Sequence, residues 1–367
     1  MEYVFWISLL VIGYVYVAYP VAIAVLARLA GRRPGKRPFA SGAWPSISIV
    51  IAARDEAERL PARIANLLEC PYAGPRQIIV VSDGSTDGTA AMLQRYAGTV
   101  ESIEVPRGGK PRALNAGVAA ARGEIIVFAD ARQRFARDAL QQLIANFSDP
   151  EVGGATGELV LDCEHGDHAS TVGDGVGLYW KYEKWQRRSE SDLRSTLGAT
   201  GAIYALRRPL WQPLPPDTLL DDVLAPMRAV LAGYRIVFDE CAVASDRASR
   251  DAAAESRRKT RTLAGNYQIL AQEPRLLVPV VNPVWLQYMS HKVGRLLVPW
   301  ALVAVFVASV ALAGSHWVYT AALALQLAFY GLAAAGAWFE AEDARTLARG
   351  AAFNGADLTL AAGKEAR

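Results

Sequence analysis

The sequence predicts an α/β protein: a doubly wound, mostly parallel sheet with helices on both faces, joined to transmembrane helices. Three observations carry this. Short runs of consecutive Ile, Val and other apolar residues alternate with helix-spaced segments between residues 46 and 130. Each run ends in polar or charged residues, as strands do when their carboxyl ends form a ligand-binding rim. The 367-residue chain is 52% hydrophobic, and it gathers much of that in uncharged stretches near both ends.

Residues 3–27 carry no charge and are long enough to cross a bilayer as a helix, placed at 1–30. A signal peptide fits poorly, because no basic region precedes the run and the run is too long. Residues 31–45 read as a basic, Pro- and Gly-containing linker. The loop after the first span holds Arg28, Arg32, Arg33, Lys36 and Arg37 and no acid, which places the following domain in the cytoplasm.

Residues 46–52, Ser-Ile-Ser-Ile-Val-Ile-Ala, are the first strand, ending at Ala53-Arg54-Asp55-Glu56. Leu60, Ile64, Leu67 and Leu68 give residues 57–69 helical spacing. The second strand, 77–81, has four consecutive apolar residues, as a strand covered on both faces does. The chain then switches to Ser82-Asp83-Gly84-Ser85-Thr86-Asp87-Gly88. A carboxylate there can accept hydrogen bonds from a base or ribose, and the glycines let backbone approach a ligand. Taken alone, the stretch could equally be a turn and a helix cap. A helix over 86–96, capped by Thr86 or Asp87, and a strand at 102–105 follow. Gly108-Gly109-Lys110 then opens a helix, an arrangement suited to a diphosphate. It lacks the spacing of a P-loop. The strand 124–129 delivers Asp130-Ala131-Arg132 to the same rim.

Near the other end, residues 296–339 are uncharged apart from His316 and break at Gly314-Ser315-His316, which reads as a transmembrane hairpin at 296–338. Lys292 and Arg295 precede it on the cytoplasmic side. Residues 271–295, with Trp285, read as interfacial, and 339–367 as a cytosolic tail. A net charge of +3 is too small to argue for nucleic acid, and the basic loop suits anionic lipid headgroups. Cys70, Cys163 and Cys241 are odd in number and far apart, so neither a disulfide framework nor a cysteine metal site is expected. Residues 162–168 contain metal-ligand types without zinc spacing and read as a polar loop. Residues 179–185, aromatic and charged, suit either a sugar-stacking floor or the membrane boundary.

Six segments in order now carry a resemblance: Ile-Val-Ile-Ala-Ala-Arg-Asp-Glu, Val-Ser-Asp-Gly-Ser-Thr-Asp-Gly-Thr, Gly-Lys-Pro-Arg-Ala-Leu-Asn-Ala-Gly, Phe-Ala-Asp-Ala, Gly-Ala-Thr-Gly-Ala-Ile-Tyr-Ala-Leu-Arg-Arg and Leu-Leu-Asp-Asp-Val. The chain resembles membrane-bound members of glycosyltransferase family 2, the inverting family that includes cellulose, chitin and hyaluronan synthases. The resemblance implies a GT-A fold over 46–270, a nucleotide-diphosphate sugar (a UDP-sugar foremost) and a divalent cation, Mg or Mn. It implies that Ala53, Arg54, Asp55 and Glu56 line the nucleotide and that Asp83 contacts the base. Lys110 would approach the diphosphate or base. Asp130, after Ala129, stands for the first aspartate of the Asp-x-Asp motif at ribose, diphosphate and metal.

Asp222 resembles the family's catalytic aspartate. An inverting transfer needs a carboxylate that takes the acceptor hydroxyl's proton as the bond forms. On a helix, neighbouring side chains point about 100° apart, so one of Asp221 and Asp222 faces the acceptor. Asp221 is then a first-turn charge beside acceptor or diphosphate. Gly198 and Gly201 would form a small-residue loop under donor or acceptor.

Two departures stand out. Arg132 replaces the second aspartate and cannot ligate metal, though it could supply positive charge. The Gln-x-x-Arg-Trp motif of processive synthases is replaced by residues 257–262, where only Arg261 matches. Arg258 and Arg261, one turn apart, could grip a phosphate or form a solvated basic face.

The expected function is a membrane-anchored, inverting transfer to a growing glycan or lipid-linked acceptor, at the inner or plasma membrane. The alternatives are a single-sugar transfer to polyprenyl phosphate and a non-catalytic scaffold of a glycan-export complex. Three spans are few to enclose a polymer channel, so export would need a homo-oligomer or a partner.

Overall fold

The computed structural model describes residues 1–33, 35–36, 39, 43–162, 171–247, 252–336 and 338, with backbone alone at 161–162, 171–178, 247 and 252–255. Helices α1 (Glu2–Gly13) and α2 (Tyr19–Ala30) join through a wider turn at Tyr14–Ala18 into one apolar helix. The strands are β1 (Ile47–Ala53), β2 (Arg76–Asp83), β3 (Glu101–Val105), β4 (Ile125–Ala129), β5 (Arg134–Phe135), β6 (Val152–Asp162), β7 (Ile203–Arg207) and β8 (Arg235–Arg247). Between and after them lie α3 (Leu60–Glu69), α4 (Thr89–Gln94), α5 (Lys110–Ala120), α6 (Ala139–Ala145), α7 (Thr171–Leu193), α8 (Asp221–Leu231) and α9 (Ala252–Gln272).

One sheet runs in the order β3-β2-β1-β4-β7-β6-β8-β5. The first four strands are parallel, with Ile47 opposite both Arg76 and Ile125. β7 runs antiparallel between β4 and β6, β8 runs parallel to β6, and β5 closes the edge antiparallel to β8. The doubly wound half is thus the one expected, and a mixed half is grafted beside it.

The unbroken apolar runs of β1, β2 and β4 follow from coverage on both faces. Ile49, Ile51, Val80 and Val127 point into one layer with Leu60, Ile64 and Leu67 of α3 and Leu140 and Leu143 of α6. Val50, Ile79, Val81, Ile126 and Phe128 point into the other, with Leu114 of α5 and Leu224 and Met227 of α8. Truncating one of these isoleucines to alanine would cost about 2–5 kcal/mol. Gly117 lets α5 lie close: a Cβ there would stand 2.5 Å from Val50 Cγ1.

α3 and α4 start at Leu60 and Thr89, three residues later than periodicity suggests. The preceding residues bind each other instead. Asp55 N–H donates to Ser85 Oγ (3.1 Å), Glu56 N–H to Thr89 Oγ1 (3.1 Å) and Ala57 N–H to Asp87 Oδ2 (2.9 Å), while Thr86 N–H donates to Asp55 Oδ1 (2.8 Å). These bonds tie the loops after β1 and β2 into one brace. α8 starts at Asp221 and takes Asp221 and Asp222 into its first turn, where carboxylates complement the helix dipole.

Among the described residues three helices are long and apolar enough to cross a membrane: Glu2–Ala30, Trp285–Ala311 and Trp317–Gly336. The second begins at Trp285, after Pro279 and Pro283, within the stretch read as interfacial. The break before the third falls at the foreseen place, with Gly314 at φ +82°. The chain divides into two compact units, Tyr14–Leu296 and Met1–Gly13 with the residues from Leu297 on. In the latter, Phe5 packs edge-on to Tyr319 at 4.9 Å, beside Val305 and Ala308. Cys163 and the rest of the expected polar loop after Asp162 lie outside the described residues.

Candidate active site

The rim at the carboxyl ends of β1, β2 and β4 collects the candidate residues. Asp55 adopts φ +53°, held there by the brace, and its Oδ2 lies 3.6 Å from Arg54 Nε. Glu56 pairs with Arg59 at 2.9 Å. Asp87 accepts from Ala57 and from Thr89, whose hydroxyl, followed by those amides, holds its carboxyl below the usual range.

Asp83 ends β2 and is 4% exposed. Its Oδ1 accepts from Gly108 N–H at 2.6 Å and its Oδ2 from Gly109 N–H at 2.8 Å. Gly109, at φ +88°, takes a conformation that a side chain resists. The buried carboxylate therefore fixes the glycine pair, and the glycine pair presents Lys110 as the first residue of α5.

Lys110 is where the rim converges. Its amine stands 3.1 Å from Asp130 Oδ1, just past β4, and 3.3 Å from Asp221 Oδ2, at the start of α8. Burial works to lower its pKa, but Asp221, Asp130 and Asp222 together raise it well above the ordinary lysine value. Asp221 is 3% exposed, a charge kept inside by that lysine. Beneath them Tyr204 of β7 stacks on Phe128 at 4.5 Å, and its buried hydroxyl has no hydrogen-bond partner among the described residues.

Asp222 has a different neighbourhood. Its main-chain carbonyl accepts from Ala199 N–H at 2.7 Å, and its Oδ2 accepts from Gly201 N–H at 3.1 Å. The Gly198–Gly201 loop is thus clamped onto this one residue. Burial and then Asp221 push the Asp222 carboxyl up to about 6, with Lys110 pulling the other way, Asp130 adding to the rise and Lys292 opposing it. A carboxylate tuned close to neutrality suits a general base.

The structure brings Lys110, Asp130, Asp221, Asp222 and the Gly198–Gly201 loop together, and it places the loops of Ala53–Glu56 and Asp83 beside them on the rim. Arg132 pairs with β8: its Nη2 lies 2.6 Å from Asp246 Oδ2, which also accepts from Gln133 Nε2 at 2.9 Å. Arg258 of α9 lines a cavity of about 450 Å³ beside Gly198 and Ala199, whereas Arg261 is exposed and not part of its lining. Arg187 of α7 also lines the cavity and donates to Thr200 Oγ1 at 2.7 Å. Arg187 and Asp246 escaped the sequence reading because they come from segments without a strand-end pattern, and Tyr204, inside the Gly-Ala-Thr-Gly-Ala-Ile-Tyr segment, has nothing local that marks its hydroxyl as buried. Lys292 was visible only as a charge flanking an apolar run.

Among the described residues no three His, Cys, Asp or Glu side chains gather as a metal cage. The donor set fits a Mg²⁺- or Mn²⁺-type ion held by one carboxylate together with substrate phosphates. Asp130, 35% exposed on the rim, is the residue that would supply such a carboxylate.

The family model for glycosyl transferase family 2 matches residues 48–211, from β1 through β7. An N-acetylglucosaminyltransferase of Mesorhizobium japonicum is 31% identical over 122 residues, 32% of this chain and 29% of the relative. The poly-beta-1,6-N-acetyl-D-glucosamine synthase of Staphylococcus aureus is 24% identical over 216 residues, 54% of this chain and 48% of the relative. The chain thus spans less than half the length of these curated relatives. A mannosyltransferase from Pyrobaculum calidifontis, solved with GDP-Man and Mn²⁺, superposes with a TM-score of 0.68 at 23% identity, over 90% of this chain and 92% of that one. That likeness shows the fold, which is GT-A. The braced loops, Lys110, Asp130 and the Gly198–Gly201 loop thus lie within the stretch that matches glycosyl transferase family 2, and Asp221 and Asp222 lie just beyond its end.

Proposed function

We propose that the protein is a membrane-anchored, inverting glycosyltransferase that moves a sugar from a nucleotide-diphosphate donor, a UDP-sugar foremost, to a growing glycan or lipid-linked acceptor. The observation that carries this is the placing of Asp222: a carboxyl raised to about 6, clamped to a glycine loop and facing the same cluster as Lys110 and Asp130. In this reading Asp222 takes the proton of the acceptor hydroxyl as its oxygen bonds to the anomeric carbon. The bond from that carbon to the diphosphate breaks, and the Lys110 amine meets the charge that develops there. Asp221 holds Lys110 in place. Asp55, Glu56 and Asp83 belong to the nucleotide side, with Ala53, Arg54 and Ala129. A divalent cation, where bound, would be held by Asp130 and the diphosphate and would neutralise the leaving group.

The GT-A domain spans 46–270, and residues 1–30 and 296–338 anchor it, with the catalytic side cytoplasmic by the positive-inside rule. The names of the two curated relatives support an N-acetylglucosamine donor, and the solved mannosyltransferase makes GDP-mannose the control.

The test is nucleotide release by the purified protein in lipid, from UDP-GlcNAc, other UDP-sugars, GDP-mannose and dTDP-sugars, with Mg²⁺, Mn²⁺ or chelator. Release from one donor that requires a membrane-extracted acceptor is the expected result. Folded protein that neither releases nor binds any nucleotide would replace the reading with that of a non-catalytic scaffold.

A further inference from the structure

The cavity beside Asp222 has a charge pattern that the donor side does not explain. It is walled by α7, by the Gly198–Ala199 turn, by α9 and by the first turns of the Trp285–Ala311 span. Among the described residues two carboxylates reach it, fewer than the cations that do. Glu183 pairs with Arg295, and Glu190 accepts from the Tyr19 hydroxyl at 2.7 Å and contacts His291 Nδ1 at 2.7 Å. The cations Arg187, Lys259 and Lys292 line the same space and make no ion pair among the described residues. Cations therefore outnumber carboxylates in the described lining, with Thr262 and Asn266 adding neutral hydrogen-bonding groups. Its other lining is apolar, Leu263 and Leu296, the latter on the helix that is long enough to cross a membrane. Ala199, in the wall, donates its N–H to the Asp222 carbonyl at 2.7 Å, so an occupant lies one residue's width from the candidate base.

We propose that this cavity binds a phosphate group borne on an apolar chain, the anionic head of a lipid-linked acceptor, with Arg187, Lys259 and Lys292 holding the phosphate and Leu263 and Leu296 meeting the first carbons of the chain. This rests on the transferase reading for its purpose but not for its test. Several cations converging on one space, in excess of the described carboxylates there, suit a multiply charged oxyanion with many acceptor oxygens. The apolar wall at the base of a span separates a lipid phosphate from a free one.

The experiment is a binding titration of the full-length protein in detergent with farnesyl phosphate, farnesol and inorganic phosphate, and separately with the nucleotide sugar. Farnesyl phosphate is expected to bind at least about tenfold more tightly than either of the others, the worth of one charge-assisted hydrogen bond. Lys292→Gln and Lys259→Glu should each weaken farnesyl phosphate and leave the feeble binding of farnesol alone. Lys259 is exposed, so its variant keeps the test valid if Lys292→Gln misfolds. Farnesol binding as tightly as farnesyl phosphate would overturn the phosphate site. Inorganic phosphate binding as tightly would overturn the lipid source, and unaltered affinity in folded variants would overturn the residues named. A protein that binds farnesyl phosphate selectively but no nucleotide sugar would sink the transferase reading and leave this site standing.

Discussion

Two sets of carboxylates sit on one rim, and they are held in opposite ways. Those after β1 and β2 are satisfied by the main chain: Asp55 by Thr86, Asp87 by Ala57 and Thr89, and Asp83 by Gly108 and Gly109. Their bonds shape loops, and their charges are met locally. Those after β4 and at the start of α8 crowd around one amine, Lys110, with Asp222 answered only by Gly201 and by more distant charges. The first arrangement gives rigid geometry. The second gives electrostatic coupling, in which altering one group moves the protonation of the others. A rim that binds needs the former, and a rim that moves a proton needs the latter.

The largest expected effect breaks the second set at its centre. Asp222→Asn should lower the transfer rate by about 10²–10⁴-fold, the usual worth of a positioned base, with donor binding retained. Its stability should move the other way. The Asp222 carboxyl is raised in the folded protein, so ionising it opposes folding, and wild type loses that much stability as pH rises through about 6. The amide that replaces it carries no charge, so the variant should melt higher than wild type at pH 8, and the gain should vanish at acid pH. A variant that melts lower at pH 8 would contradict this electrostatic account. Wild-type turnover should rise with pH through the same value.

Next, Lys110→Met should strip the one close cation from three carboxylates. Because Lys110 lowers the Asp222 value, the acid limb of the rate profile should move upward by about one unit or more. Turnover at pH 7 should fall with it. A limb that stays near 6 would show the cluster to be uncoupled.

A smaller change probes the clamp. A Cβ at Gly201 would sit 3.0 Å from Asp222 Oδ2. Gly201→Ala should therefore push the carboxylate off its amide and lower the rate about tenfold, in the range a misplaced group costs, with KM for the donor little changed.

The smallest catalytic effect should come from the first set. Asp83→Asn replaces one acceptor oxygen with an NH₂ facing a main-chain N–H. It should cost about 2–3 kcal/mol of stability, typical of a lost bond to a charged group, seen as a lower melting temperature. The donor KM should rise severalfold while the rate at saturation holds. A large loss in that saturated rate would mean that the two sets are not separable.

Much of the first half was legible in the sequence because its signals are local. Four consecutive apolar residues at 78–81 report burial on both faces, and Gly-Gly-Lys at 108–110 reports a loop entering a helix. The strand-end pattern put Asp83 and Asp130 on the rim, whereas Asp222 was singled out by the resemblance, which reads order along the chain. The second half was not legible: β6, β8 and α7 have no comparable punctuation, and the mixed pairing of β7 with β4 depends on a contact between residues about 80 positions apart. Arg132 illustrates the limit. Its type shows that it is no metal ligand, but its partner Asp246 lies 114 residues away.

By itself the sequence determined the strands that alternate with helices, the apolar runs at both ends and the residue types on the rim, since each is written in periodicity or composition within a few positions. Only the tertiary structure decided which carboxylates are spent on backbone and which remain coupled. That choice depends on distances of about 3 Å between segments remote in the chain, and at those distances burial and neighbouring charge, rather than residue type, set the chemistry of a side chain.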